Sequence, residues 1–293
     1  MQDVMLEASR GQPWIINVRG HELQPGTVLG RIATLEVRLA SGRQDIETAQ
    51  KLRYRVFHEE LGAAAGLASA ADQLDADRYD DACDHLLVID RGADGTQEKA
   101  VGTYRLLRDD VAVATRGFYS SAEFEIERLV ARHRDIKFLE LGRSCVLPEY
   151  RSRRTIELLW QGIWAYVNHY GIGAMTGCAS FPGTVPAAHA QALSFLAQNS
   201  RATGPWQVNA VPSRYHEMDL TPAEAVDMRA ALQEMPPLIK GYLRLGAKVG
   251  DGCVIDREFG TTDVFIVLPV ASISPRYINY YGADAERFAP RLS

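Results

Sequence analysis

The chain has 293 residues, of which 46% are hydrophobic and 24% are charged, and its formal net charge is −5. A chain of this length and composition can bury a sizeable core without metals or disulfides. The acidic balance argues against nucleic-acid binding, which is normally accompanied by a basic excess.

The cysteine pattern and the lack of long apolar segments narrow the class further. Cys83, Cys145, Cys178 and Cys253 form no C-x-x-C pair and have no histidines at zinc-like spacing, so we expect reduced, mostly buried thiols and no metal site. Residues 1–19 contain acids and no apolar run, which argues against a secretory signal. Because no stretch approaches the roughly 20 apolar residues of a membrane span, we expect a cytoplasmic protein, with peripheral contact at the inner membrane left open.

Hydrophobic periodicity divides the chain into a leader, a long central region and a tail. Residues 1–30 lack periodicity and are expected to be irregular, residues 31–272 form the predicted domain, and residues 273–293 form a tail with the aromatic stretch Tyr277–Tyr281. The predicted elements, in chain order, are a strand at 33–40, a helix at 45–61, strands at 85–90 and 100–107, a helix at 121–133, a strand at 137–146, a helix at 155–167, a strand at 171–180, helices at 185–197, 222–232 and 236–245, and strands at 253–256 and 263–270. This order predicts one mixed α/β domain with a strand–helix–strand unit in its middle.

The middle unit carries a basic turn between its first strand and its helix. Three arginines, Arg151, Arg153 and Arg154, stand within four residues at this turn. Backbone N–H groups at a helix start favour an anion, and the arginines add to that potential. The turn therefore predicts a binding site for a phosphate-bearing carrier. The alternative interpretation is a solvated basic turn without a ligand.

The same turn shows the first resemblance to a known family. Residues 146–151 read V-x-P-x-Y-R before a helix, which resembles the start of the acyl-CoA motif of the GNAT superfamily. In that superfamily the motif continues R-x-x-G-x-G/A, and the glycines let the backbone close on the pyrophosphate of CoA. Here Arg154 and Ile156 stand at the glycine positions. This departure disfavours CoA and favours an acyl carrier protein, with Val146 and the three arginines as the predicted contacts of the carrier and its phosphopantetheine arm.

Two further blocks sharpen the resemblance. The motifs RYRVF at 53–57, DRYD at 77–80, VGTYRLL at 101–107 and ELGR at 140–143 occur in an order similar to that of the acyl-homoserine lactone synthases, GNAT-fold enzymes that use acyl carrier protein. The C-terminal block at 237–264 resembles the bacterial ornithine N-acyltransferases that make lyso-ornithine lipid. The resemblance to that second family covers about residues 30–272.

The resemblance implies a fold, a reaction and a set of partners. The implied fold is a GNAT-like α/β (α+β) fold, a twisted and mostly antiparallel mixed sheet flanked by helices, which splays between the strand ending near Val146 and the strand starting near Gly171. The implied reaction is transfer of a 3-hydroxyacyl group from the phosphopantetheine thioester of acyl carrier protein to the α-amine of L-ornithine, without a metal or redox cofactor. Alternatives are an amine such as glycine, a lactone synthase-like reaction, and a carrier-binding protein without turnover.

Residue chemistry within these motifs gives candidate roles. An amine attacking a thioester must lose a proton, and Glu140 is the candidate base; a buried partner of Arg143 is its alternative role. A backbone N–H near Ser144 or Cys145 is the candidate oxyanion donor, and covalent catalysis by Cys145 is disfavoured because direct transfer does not need it.

The acceptor carries two ammonium groups and one carboxylate. Asp77 and Asp80 are candidates for the ammonium groups, Arg53 or Arg105 for the carboxylate, and Arg143 completes the predicted substrate-binding set. The alternative is a structural ion-pair network that ties the early helix to the sheet. Phe57 is a candidate for lining the acyl channel, with an ordinary core position as its alternative.

Overall fold

The computed structural model describes residues 22–64 and 71–277, which form one mixed sheet with helices on both faces. The strands, in chain order, are β1 Val28–Ile32, β2 Leu35–Leu39, β3 Asp84–Asp90, β4 Lys99–Arg108, β5 Lys137–Val146, β6 Ile172–Pro182, β7 Lys248–Val249, β8 Val254–Asp256 and β9 Thr261–Pro269. Their spatial order is β1-β2-β3-β4-β5-β6-β9-β7, and β8 also pairs with β9. The β5–β6 pair is parallel and the other pairs are antiparallel, as expected for a strand–helix–strand unit within an antiparallel sheet.

The helices cover the sheet from two sides because the strand side chains alternate. They are α1 Arg43–Tyr54, α2 Asp109–Ala114, α3 Ile126–Arg132, α4 Arg153–Tyr170, α5 Ala190–Asn199, α6 Met228–Glu234 and α7 Pro237–Arg244. On β3, Leu86 and Val88 join the core that contains the apolar stripe of α4, whereas Leu87 and Ile89 cluster with Ala49 of α1. Among the described residues, no helix is both long and apolar enough to cross a membrane.

The expected GNAT-like fold is confirmed, and the differences in element bounds have local causes. The strand predicted at 137–146 has those bounds, but the helix predicted at 45–61 is α-helical only to Tyr54 and continues as a π-helical turn at Arg55–Glu60. The helix predicted at 121–133 begins at Ile126. It is preceded by a separate 3-10 turn at Tyr119–Ala122, whose first two N–H groups bind a buried carboxylate.

The structure describes part of the predicted leader and the start of the predicted tail. The strand β1 begins at Val28, within the segment expected to be irregular. It forms a local hairpin with β2, and a register shift between Val28 and Gly30 interrupts its alternation. Tyr277, the first residue of the aromatic stretch, packs against the main core. The rest of that stretch, and residues 1–21 of the leader, lie outside the described residues.

The parallel pair β5–β6 separates partway along its length, which is the predicted opening of the sheet. Pairing runs from Lys137–Ile172 to Glu140–Thr176. At the next residue the backbones make a close contact, since a Cβ on Gly177 would lie 2.3 Å from the carbonyl oxygen of Leu141. Beyond this point the two strands line a cavity. A glycine is therefore required where the strands part.

We expect Gly177→Ala to destabilise the protein by about 3 kcal/mol, because the added methyl group overlaps a backbone oxygen that cannot rotate away. Gly241→Ala in α7 is the control. No atom lies within 4 Å of its added Cβ, and removing a helical glycine should stabilise by about 0.5–1 kcal/mol. Urea unfolding of both variants measures the difference, and equal midpoints for Gly177→Ala and the wild type would contradict the close contact.

Candidate functional site

A cavity of about 570 Å³ occupies the opening between β5 and β6. The second halves of these strands, the π-helical turn after α1 and the turn between β8 and β9 contribute to its lining. Its volume lies within the range of about 300–1,000 Å³ typical of small-molecule sites. The charged side chains that line it are Arg105, Glu140, Arg143, Asp256 and Asp263. The cavity is therefore the candidate site, and its charges decide what it can bind.

A bulge in β5 sets the position of Arg143. Arg105 of β4 pairs with Gly142, whereas Thr103 pairs with Cys145, so β5 carries one extra residue here. Arg143 adopts a φ of 51°, in the left-handed region. Such a conformation costs on the order of 1–3 kcal/mol for a residue with a side chain and recurs at functional sites. The bulge interrupts the alternation of β5 and places Arg143 at the cavity wall.

Arg53 of α1 is the most buried member of an ion-pair network that links Arg53, Arg105 and Arg143 to three aspartates. Arg53 is 1% exposed, and its Nε and Nη2 lie 2.8 Å from Oδ2 of Asp75 and of Asp80, respectively. Nη2 also donates to the backbone carbonyl of Asp75, and Gln50 Nε2 donates to Asp80 Oδ2 at 2.8 Å. Burial acts to raise the pKa of Asp80, but Arg53 holds that pKa well below its usual range. Asp80 is therefore ionised and committed to Arg53.

The ion-pair network reaches the cavity wall through Arg105 and Arg143. Arg105 Nη1 lies 2.7 Å from Asp77 Oδ1 and 3.1 Å from Asp80 Oδ1. Arg143 Nη2 lies 3.3 Å from Asp77 Oδ2, and Arg143 Nη1 donates to the Tyr119 hydroxyl at 2.9 Å. Nη2 of Arg105 is buried and has no hydrogen-bond partner among the residues that the structure describes. One guanidinium nitrogen therefore remains for an anionic group.

The predicted acceptor residues come together in two layers. Those that line the cavity, together with the predicted acyl-channel residue, are Phe57, Arg105, Glu140 and Arg143. The three that lie behind this wall in the ion-pair network are Arg53, Asp77 and Asp80. Arg53 and Asp80 bind each other, which matches the alternative of a structural network. The binding roles stay predictions.

The residues predicted to meet the carrier lie outside the cavity lining. Val146 is buried in the main core, and Arg151 makes a bidentate pair with Glu60, at 2.6 and 2.7 Å. Arg153 and Arg154 are exposed at the start of α4, where Arg153 Nε lies 2.6 Å from Glu157 Oε1. The basic turn therefore exists as predicted, and its binding role stays a prediction.

Glu140 is 3% exposed and stands where the β5–β6 pairing ends. Its Oε2 accepts the N–H of Tyr119 at 2.7 Å, and its Oε1 accepts the N–H and the hydroxyl of Ser120 at 2.9 and 2.5 Å. Burial raises the pKa of Glu140, and the hydrogen bonds from Ser120 and Tyr119 counter that rise. Its partners are therefore this turn, and not Arg143 as the alternative role supposed.

Three further acids form a group that the sequence analysis did not single out, and we call Glu123, Asp256 and Asp263 the acid cluster. One carboxylate oxygen of each lies within 4.8 Å of the others. Burial, and then the charge of Asp263, raises the pKa of Glu123 to about 7, while Arg214, with Nη2 at 3.1 Å from Glu123 Oε1, acts to lower it. Oxygen donors at this spacing suit a cation, either an ammonium group or a hard metal ion. The expectation of no metal stays a prediction.

The sequence indicates the location of two of the three residues of the acid cluster. Asp256 and Asp263 flank the glycine turn at Phe259–Gly260, and pairing of β8 with β9 sets Asp256 opposite Thr261 and Val254 opposite Asp263. Two acids around a tight turn between strands therefore indicate a shared location. Glu123 comes from the irregular segment before α3, and its position depends on tertiary contacts alone.

Cys145 is unsuited to nucleophilic catalysis. It is buried in the main core, and burial raises the pKa of its thiol well above the usual range. A neutral thiol is a poor nucleophile, because the thiolate is the reactive form. This agrees with the expectation of direct transfer.

Comparisons with known proteins give the family context of this geometry. Residues 52–161 match the family model described as an acetyltransferase (GNAT) domain. The chain is 58% identical over 262 residues to the L-ornithine N(alpha)-acyltransferase of Brucella abortus (strain 2308), covering 89% of this chain and 93% of the relative. It is 56% identical over 275 residues to the enzyme of the same name in Agrobacterium fabrum (strain C58 / ATCC 33970), covering 93% and 94%. Among solved structures, the AHL synthase LasI aligns with a TM-score of 0.44 at 12% identity, over 86% of this chain and 96% of that one.

We expect Asp80→Ala to cost about 3–5 kcal/mol of unfolding free energy, because it leaves the buried charges of Arg53 and Arg105 without this partner. Glu47→Ala is the control, since it removes an exposed carboxylate that pairs with Lys51 on the same helix. Such a pair contributes about 0.3–0.5 kcal/mol. Chemical denaturation compares the two variants, and equal small losses would contradict the central place of Asp80 in the ion-pair network.

We expect Glu123→Gln to change how stability depends on pH. The folded-state pKa of Glu123, about 7, exceeds its ordinary value of 4.5, so its stabilising contribution is complete below pH 4.5 and is lost as pH rises through about 7. Relative to wild type, the variant should therefore gain on the order of 3 kcal/mol between about pH 5 and about pH 8. Urea unfolding at both values measures this gain, with the exposed Glu258→Gln as control. Parallel pH profiles would contradict the raised pKa.

Proposed function

Because the chain belongs to the L-ornithine N(alpha)-acyltransferase family, we propose that it transfers a 3-hydroxyacyl group from the phosphopantetheine thioester of an acyl carrier protein to the α-amine of L-ornithine. The relatives that carry this name match the chain over about nine-tenths of its length. The product is an N-acylated amino acid with a free side-chain ammonium group. Acyl transfer from a thioester to an amine changes no oxidation state, so the proposal includes no redox cofactor.

The start of α4 is the observation that supports an acyl carrier protein as donor. Arg154 and Ile156, at the glycine positions of the acyl-CoA motif, are both exposed there, and Ile156 is 45% exposed. Ser152 Oγ accepts the N–H of Thr155 at 3.3 Å, so this backbone donor is already capped. A CoA pyrophosphate would meet two side chains and a capped donor. The single phosphodiester of a carrier arm needs less space and gains from the arginines.

The cavity between β5 and β6 offers a path for the arm and a pocket for the acyl chain. Phe57, Leu61 and Phe259 are among its apolar lining residues, and Phe57 packs edge-on against Phe259 with ring centroids 5.8 Å apart. Burying the acyl chain against such a lining contributes about 0.8 kcal/mol for each buried methylene group. The thioester would then lie near Glu140 and the β5 bulge.

The reaction proposed at this point is direct aminolysis. The neutral α-nitrogen bonds to the thioester carbonyl carbon, the C–S bond breaks, and the carrier thiol leaves with a proton. Glu140 accepts the amine proton directly or through a water molecule, which its raised pKa favours. The bulge interrupts the ladder between Gly142 and Cys145, which supports a free backbone N–H there as the oxyanion donor.

Arg105 is the proposed partner of the ornithine carboxylate. It lines the cavity, and its Nη2 has no partner among the described residues. Asp77 and Asp80 bind the other edge of the guanidinium and hold it in place. A carboxylate at Nη2 would make a charge-assisted hydrogen bond inside a buried site.

We also propose that the protein binds peripherally at the inner membrane. The product would be an amphiphile, and Leu61 and Leu238 line the cavity while remaining 64% and 39% exposed. Exposed leucines at a cavity opening provide an apolar edge that suits a lipid surface.

The reaction is tested by thiol release from 3-hydroxyacyl carrier protein with ornithine, with glycine and without acceptor, and in parallel from the matching acyl-CoA. We expect ornithine-dependent release from the carrier and at least about tenfold lower kcat/KM for acyl-CoA, because the start of α4 crowds a pyrophosphate. Mass spectrometry of the product identifies the acylated nitrogen. Equal use of acyl-CoA would exclude the carrier-specific donor site, and binding of the carrier without any release would leave only a carrier-binding protein.

Glu140→Gln tests the base. We expect kcat to fall about 100-fold or more, with the KM for ornithine changed by less than about threefold, because the amide cannot accept the proton. Ser120→Ala is the matched variant, since it removes one hydrogen bond to Glu140 but keeps the carboxylate, and it should cost far less in kcat. Wild-type kcat in Glu140→Gln would exclude the role.

Charge reversal at the basic turn tests carrier docking. We expect Arg153→Glu with Arg154→Glu to raise the KM for the carrier about tenfold at low salt, with a smaller effect at high salt, because exposed charges act through screened attraction. Arg134→Glu is the control, an exposed arginine before the opposite end of β5. The same increase in log KM per reversed charge for both changes would point to net charge and exclude a docking turn.

A further inference from the structure

The acid cluster forms a charged wall of the cavity for which the proposed chemistry gives no role. Asp256 and Asp263 line the cavity, and Glu123 completes the group with oxygens within 4.8 Å. The only positive side chain that the structure pairs with any of the three, among the described residues, is Arg214, with Nη2 at 3.1 Å from Glu123. Three acids therefore share one arginine beside an enclosed space.

Asp263 is the member of the acid cluster that points to a missing partner. It is 6% exposed, and its Oδ1 has no hydrogen-bond partner among the residues that the structure describes. Burial raises the pKa of Asp263, and the hydroxyls of Thr261 and Ser180 act against that rise. A buried carboxylate oxygen without a partner is costly, and a bound cation removes that cost.

The wall of the cavity carries an unsatisfied group of the opposite sign on β4. Nη2 of Arg105 is buried there and has no partner in the described part of the chain. The residues that line one cavity therefore include a guanidinium nitrogen and a carboxylate oxygen that have no partner among the described residues. This combination is complementary to an amino acid with a carboxylate at one end and a second ammonium group at the other.

We propose that Asp263, with Asp256 and Glu123, forms the subsite that binds the side-chain ammonium group of the acceptor and so selects a diamino acid over a monoamino acid. The inference rests on the proposed function for the identity of the acceptor. It assigns to the acid cluster the recognition that the sequence had suggested for Asp77 and Asp80, which the structure shows bound to arginines. An ammonium group suits the subsite because it donates three hydrogen bonds in different directions.

The subsite also explains discrimination by charge. A monoamino acid of the same length, such as norleucine, would place a methyl group against Asp263 and leave its Oδ1 unpaired. A site built to hydrogen-bond a polar group rejects an analogue that lacks it far better than an apolar pocket rejects a small change in size. Both substrates would present the same α-amine and carboxylate, so only the acid cluster separates them.

The test compares ornithine with norleucine as acceptor in wild type and in Asp263→Asn. We expect kcat/KM for ornithine to fall about 100-fold in the variant, mainly through KM, while that for norleucine changes less than about threefold, because only the ammonium contact is lost. Asp256→Asn is the second variant if Asp263→Asn folds poorly. Its amide oxygen can still accept the turn N–H groups of Glu258 and Phe259 that Asp256 Oδ1 binds at 2.8 and 3.1 Å. Glu258→Gln is the matched control, an exposed carboxylate in the same turn.

Several outcomes would overturn the subsite. Equal losses of kcat/KM for both acceptors in Asp263→Asn, or an unchanged preference for ornithine, would show that the acid cluster does not bind the ammonium group. The assays are repeated after treatment with EDTA. Loss of the preference and its return with Ca²⁺ or Mn²⁺ would assign the acid cluster to a metal ion.

A direct binding measurement separates this inference from the proposed donor. Calorimetric titration of the protein with ornithine and with norleucine needs no carrier, and we expect binding of ornithine alone, weakened about 100-fold by Asp263→Asn. If thiol release fails while this selectivity is found, the donor assignment is wrong and the subsite stands. If release with ornithine is found but titration and kinetics show no selectivity for the ammonium group, the subsite is wrong and the reaction stands.

Discussion

The separation of β5 from β6 is the constraint on which the site depends. A parallel pair satisfies its backbone groups along its whole length, so an opening needs a specific cause. Gly177 lets β6 pass against the carbonyl of Leu141 just after pairing ends at Glu140, and the bulge around Arg143 turns β5 at almost the same level. The cavity, its buried acid and its arginine wall all follow from these few backbone features.

The opening is also where the molecule concentrates its buried charge. Arginines reach it from β4 and β5, and the acids of the acid cluster reach it from the β8–β9 hairpin and the segment before α3. The ion-pair network fixes the arginines from behind, so that the groups facing the cavity are held before any ligand arrives. Such preorganisation lowers the free-energy cost of binding a charged amino acid, because the protein groups need not reorder.

The sequence predicts those elements whose hydrophobic pattern repeats over many residues. It does not predict features that depend on contacts between distant parts of the chain. The strand at 137–146 and the helix that became α4 carry strong patterns, and motif resemblance located Glu140, Arg105 and Arg143 at the cavity. The strand β1 lacks a regular alternation, and β7 has only two residues. Glu123 and Asp75 were missed because nothing in their neighbourhood indicates what they approach. The salt bridge between Arg53 and Asp80 likewise depends on tertiary contacts that the sequence does not indicate.

The ion-pair network has a consequence for how this chain can vary over evolutionary time. Asp75, Asp77 and Asp80 are shared among three guanidinium groups, so exchanging any one charge leaves at least one buried partner behind. Substitutions at these positions must therefore occur as compensating pairs. The variant that carries only the first substitution of such a pair is destabilised. Slow change at these positions would accordingly reflect the energetics of the fold as much as contact with a substrate.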